Sequence, residues 1–258
     1  MTQVDKLKDI LKNHFDNKKI FDLKNYGSNC YVSSWQEPYK LIETTYLDNL
    51  ENKTILDYCC GDGVHSIFPA LKGAEVTGID FSSHSIKRAK ERSRNFNVEN
   101  NCTFYAGDVE EIELQDKKYD LILCNESLLY LDLEETFSKF SNLLENEGRL
   151  IIVESLGNNV FFNIKRKMSI RNYAPDSVKE LSKVRIQQIF TSSKLFFVLD
   201  RDYYFGLFGV IPFLLESKLN IKINPKSFVA LDKVISKVYL FKKLFFSGVF
   251  VFRSRGNL

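Results

Sequence analysis

The chain has 258 residues, 44% hydrophobic and 27% charged, which is enough for one large domain and close to the soluble average, so a fibrous or wholly disordered chain is excluded. The formal charge of +3 is unevenly spread: nine basic residues face two acids from Glu216 onward, giving +7 there and −4 elsewhere. That polarity fits a solvated helical face, an anionic substrate or a weak association with a membrane surface. The five cysteines, Cys30, Cys59, Cys60, Cys102 and Cys124, are odd in number and form no CxxC pair. The three histidines lack zinc spacing, so reduced thiols in a cytoplasmic setting and no metal are expected.

In chain order, residues 1–19 alternate charge with single apolar residues and read as an amphipathic helix without the apolar core of a secretory signal. An aromatic segment, "NYGSNCYVSSWQEPY", follows with Tyr26, Tyr31, Trp35 and Tyr39. Short apolar runs at 54–59, 75–80, 102–107, 119–124 and 149–155 read as strands, and 82–96 and 133–144 as helices between them. This alternation predicts an open, doubly wound α/β sheet. After Glu154 the rhythm changes. A basic stretch leads to a predicted helix over 177–190, strands over 194–205 and 245–254, and an amphipathic helix with apolar residues from 228 to 245. The longest apolar run, 205–215, contains glycine and proline and is too short to span a bilayer. A single domain is expected: a helical lid over 1–49, a core over 50–155, and a segment over 156–258 with a helical insertion at about 206–244.

The stretch "ILDYCCGDGVHSI" at 55–67 carries the first chemistry. Gly61 and Gly63 fall on the turn after the first core strand, where a ligand approaches closest and a Cβ would obstruct it. A dinucleotide fingerprint needs a third glycine where this chain has Ser66. Asp57 and Asp62 would repel a pyrophosphate and attract a cationic ligand.

These residues resemble the first motif of class I S-adenosylmethionine-dependent methyltransferases, with Cys59 in place of the pattern's first glycine. The resemblance extends in order. Asp80 in "GIDFS" matches the acid that binds the ribose hydroxyls, with Phe81 beside the adenine. Asp108 and Val109 match the contact to the adenine amino group and its apolar wall. Cys124 and Asn125 match positions facing the methionine part, and "LLENEGRLIIVES" matches the turn into the fifth strand. Taken singly, the glycines read equally as a tight turn and the two aspartates as helix caps. Together they imply a Rossmann-like, seven-stranded, mostly parallel sheet, S-adenosylmethionine as donor and S-adenosylhomocysteine as product.

For the acceptor, His65 and Tyr130 are the catalytic candidates, His65 as base or orienting group, or else as a structural residue, and Tyr130 where many relatives place a histidine. His84 is expected on the solvent side of its helix. The resemblance gives Tyr26, Tyr31 and Trp35 a place in a lid, where aromatic rings suit a sulfonium. Arg166, Arg171 and Tyr173 would clamp an anionic acceptor, or lie on the surface. The late segment is similar to bacterial enzymes that methylate small polar metabolites, sugars and glycan precursors. O-methylation of a small polar, anionic or sugar metabolite, such as a capsule precursor, is the expectation. N-methylation of a small amine, a nicotinamide oxidoreductase and a silent donor-binding protein remain as alternatives. No fourth-strand motif of the PPY or PPF kind is present, so nucleic acid is not expected as substrate.

Overall fold

The computed structural model describes residues 30–112, 114, 117–159, 184–208 and 225–255. A helix α1 (Cys30–Thr45) precedes the alternating core: β1 (Thr54–Tyr58), α2 (Val64–Leu71), β2 (Glu75–Asp80), α3 (Ser83–Asn95), β3 (Cys102–Ala106), β4 (Tyr119–Asn125), α4 (Leu133–Leu143) and β5 (Leu144–Ser155). Then come α5 (Ile186–Ser193), β6 (Phe197–Phe205), α6 (Pro225–Ile235), a 3-10 helix (Tyr239–Leu244) and β7 (Ser247–Ser254). The seven strands lie in the order β3-β2-β1-β4-β5-β7-β6. β1 to β5 pair in parallel, and β7 enters antiparallel between β5 and β6.

β1 and β4 are near-continuous apolar runs because helices cover both faces of the sheet. Alternate residues feed separate layers: Ile122 and Phe250 point to a face packed by Phe137, Phe140 and Phe197, while Leu121, Leu123 and Val251 point to the face under Tyr39, Ile42 and Ile67. Phe137 meets Phe140, Phe197 and Phe252 edge-on at centroid distances of 6.1 to 6.2 Å. The starts of α3 and α4 are fixed by side-chain caps. Ser82 accepts from the Ser85 N–H at 3.0 Å, and Asp132 from the Glu135 N–H at 3.0 Å.

Several boundaries differ from the sequence reading. β5 begins at Leu144, directly off α4, with an irregular register between Tyr119 and Leu121 of its partner. β6 begins at Phe197 because 194–196 form a turn. The described part of the helix expected over 177–190 starts at Ile186 and runs on to Ser193; residues 177–183 lie outside the described residues. The long helix expected to 245 breaks after Ile235 and resumes as a 3-10 helix. Its apolar residues there are not core: Val238 is 50% exposed and Leu240 73%. No helix among the described residues is long and apolar enough to cross a membrane.

Candidate active site

The carboxyl ends of β1, β2 and β4 open onto a cavity of about 280 Å³. Its floor is the turn after β1, where Cys59, Gly61 and Gly63 all take left-handed φ values, 60°, 55° and 72°. Cys59 is thus a side-chain-bearing residue in a region that costs an L-residue about 1–2 kcal/mol, which explains why glycine stands there in the related pattern. The two glycines serve different purposes. A Cβ on Gly61 would meet no protein atom within 4 Å, so it would project into the cavity. A Cβ on Gly63 would stand 2.9 Å from the Ala89 Cβ, so Gly63 is where α2 and α3 approach.

Asp80, 6% exposed at the end of β2, joins two loops: its Oδ2 accepts the Gly61 N–H and its Oδ1 the Ser82 N–H, each at 2.9 Å. Asp57 lies deeper, takes the Ser66 hydroxyl at 2.6 Å, and is pushed up to about 7 by burial, reinforced by the neighbouring Asp80 and Asp62 charges. Asp62 pairs with Arg92 at 2.8 Å. His65 stacks on Tyr39 with centroids 4.1 Å apart, and burial pushes it down to about 4. Burial, with the charges of Glu154 and Glu126, pushes Tyr130 up to about 12. The Cys59 thiol is also pushed well up by burial.

Of the residues singled out in the sequence, Asp57, Cys59, Gly61, His65, Asp80, Phe81, Asp108, Val109, Asn125 and Tyr130 line this cavity. Gly63 and Cys124 do not. Cys124 is fully buried with its sulfur 3.2 Å from the Ser127 hydroxyl, behind the wall. His84 is exposed. Tyr26, Arg166, Arg171 and Tyr173, with the side chains of Tyr31 and Trp35, lie outside the described residues. The cavity also uses Tyr39, from the aromatic segment ahead of the core, and Glu110 and Glu126, which no motif marked. Glu126 has φ 54° and accepts the Ser155 hydroxyl at 2.8 Å; its only sequence signal is its place one residue beyond Asn125. Among the described residues no set of His, Cys, Asp and Glu side chains is arranged to hold a metal.

The parallel core with one reversed strand, and a glycine turn facing the acid that ends β2, define a class I S-adenosylmethionine-dependent methyltransferase. Residues 49–192 match the model of the family described as "Methyltransferase domain", and the chain belongs to that family. It is 28% identical over 192 residues to a malonyl-[acyl-carrier protein] O-methyltransferase of Acetivibrio thermocellus, covering 70% of this chain and 64% of that protein. It is 31% identical over 131 residues to an uncharacterized RNA methyltransferase of Clostridium acetobutylicum, covering 48% of this chain and 28% of that protein. The chain therefore spans less than two thirds of either relative. In fold it is similar to the geranyl diphosphate C-methyltransferase of Streptomyces coelicolor, solved with Mg2+, geranyl-S-thiolodiphosphate and S-adenosyl-L-homocysteine: TM-score 0.65, 14% identity, 98% of both chains covered. The cavity suits the family's donor, because Gly61 leaves open the space that a side chain would fill and two carboxylates, Asp57 and Asp80, favour a cation.

Proposed function

We propose that the protein transfers a methyl group from S-adenosylmethionine to a small polar acceptor, with O-methylation as the first reading. The observation that carries it is the cavity at the carboxyl ends of the strands, with the open Cα of Gly61 opposite the Asp80 carboxylate. The bound donor would supply an electrophilic methyl on a sulfonium. Asp80 can hold the ribose hydroxyls while bracing its two loops, since a carboxylate offers about four acceptor sites. Phe81 and Val109 would flank the adenine, Asp108 would meet its amino group, and Asp57 and Asn125 would face the methionine end. Tyr39, His65 and Tyr130 then form the wall beside which an acceptor aligns for in-line attack.

Neither His65 nor Tyr130 suits proton abstraction at neutral pH: His65, near 4, holds a proton too weakly and Tyr130, near 12, too tightly. An oxygen that arrives already ionised, such as a carboxylate or the phosphate-like group of a glycan precursor, needs orientation and desolvation only. A second reading, N-methylation of a small amine, is favoured by the acids around the cavity, Asp57, Asp62, Asp80, Asp108, Glu110 and Glu126, against Arg88. The deciding experiment measures S-adenosylhomocysteine release over acceptor panels of carboxylates, sugar phosphates, hydroxylated sugars and amines. Turnover confined to amines establishes the second reading, and turnover with none of them, despite donor binding, leaves a donor-binding protein.

A further inference from the structure

We infer that the outer face of α6 and the 3-10 helix after it is a docking surface for an anionic lipid bilayer. Its apolar residues are exposed to an unusual degree: Leu231 42%, Val234 62%, Val238 50%, Tyr239 70%, Leu240 73% and Phe241 40%. Contiguous apolar exposure of this kind marks an interaction site on a folded protein. Lys233, Lys237, Lys242 and Lys243 are interleaved with these side chains. The one acid within 231–244, Asp232, is 3% exposed and turned inward, where it accepts the Gly206 and Phe208 N–H groups at 2.8 and 3.0 Å. The inward acid fixes which side of the helix faces out. Lys242 is paired with Asp202 at 2.5 Å; the other three lysines extend the positive field, and a groove of about 710 Å³ beside them adds Arg185 and Lys194.

Charge selects the occupant. A second copy of this face would set lysine against lysine, and like charges opposed across an interface are costly. A protein interface core is also depleted in lysine. A surface of anionic headgroups satisfies both components: lysines meet the phosphates while aromatic and aliphatic side chains enter the headgroup boundary. The geometry also orients the molecule. The 3-10 helix runs into β7, whose Ser247 pairs with Ser155 at the carboxyl end of β5, so the face lies at the end of the sheet that bears the donor cavity. Docking turns that end toward the lipid.

The test floats the full chain with vesicles of phosphatidylcholine alone and of phosphatidylcholine mixed with phosphatidylglycerol. The expected result is recovery with the mixed vesicles only, reversed by high salt. Lys237→Glu combined with Lys243→Glu, and separately Leu240→Asp, should each lower recovery about tenfold, by removing the electrostatic and the apolar components in turn. S-adenosylmethionine binding by calorimetry should stay unchanged in both variants, which confirms that they fold. Equal recovery with neutral vesicles, recovery with neither, or variants that float like the parent would overturn the inference. So would a solution dimer that Leu240→Asp dissociates in a chain that ignores vesicles.

Discussion

Asp57 is a carboxyl group held near the pH at which the protein would work. Burial raises it to about 7, so the folded, donor-free protein keeps a proton that the unfolded chain has already released in the mildly acidic range. Its contribution to stability therefore declines as pH climbs from the ordinary carboxylate range toward 7. A sulfonium beside it favours the ionised form. Donor affinity should be full above pH 7 and weaken as pH falls below it, with up to one proton released on binding. Calorimetry near pH 6 in buffers of different ionisation heat reads that proton, and Asp57→Asn should abolish both the slope and the release. The two turn glycines make a second residue-scale comparison. Gly61→Ala should cost about 1–2 kcal/mol of stability for its left-handed backbone but lose far more donor affinity, because its methyl enters open cavity. Gly63→Ala adds overlap with Ala89, so about 1–3 kcal/mol more stability should be lost, with affinity affected only through the displaced helix. Thermal melts set beside donor titrations separate the pair, and the opposite ordering would show the turn to be misassigned.

At the scale of elements, Asp80 couples the loop after β1 to the loop after β2 through two backbone N–H groups. Asp80→Ala leaves both without their acceptor at about 1–3 kcal/mol each, so the melting temperature should fall together with donor affinity. Lost affinity at unchanged stability would mean that the two ties contribute nothing to the fold. Such strand-end residues were legible in the sequence because an acid or glycine closing an apolar run is a local signal, and β1 to β3 each end on one or beside one. The element from 225 to 244 was not. Periodicity reported apolar residues at helical spacing, but spacing does not reveal which residues become buried, and Val238 and Phe241 are exposed. Nor could a sequence motif point to Glu126, whose presence in the wall depends on a left-handed backbone at the end of β4, or separate Gly63, which packs helices, from Gly61, which faces the cavity.

Across the whole molecule, one aromatic layer ties the parallel core to the strands added after it. Phe137 on α4 touches Phe197 of β6 and Phe252 of β7, and is fully buried. Phe137→Ala should cost about 3–5 kcal/mol, measured as a lowered denaturation midpoint, and a smaller loss would mean that the layer collapses to fill the gap. The reversed strand between β5 and β6 also dictates an order of assembly during synthesis. β1 to β5 can pair as soon as residues up to 155 have emerged, yet β6, the next described strand, has no place on the sheet until β7 arrives, because among the described residues it pairs with β7. The edge of β5 therefore waits unpaired through the synthesis of about ninety further residues, the condition under which an exposed strand recruits other chains. A ribosome-bound chain halted before residue 247 should need chaperone protection that the same chain released after 255 does not.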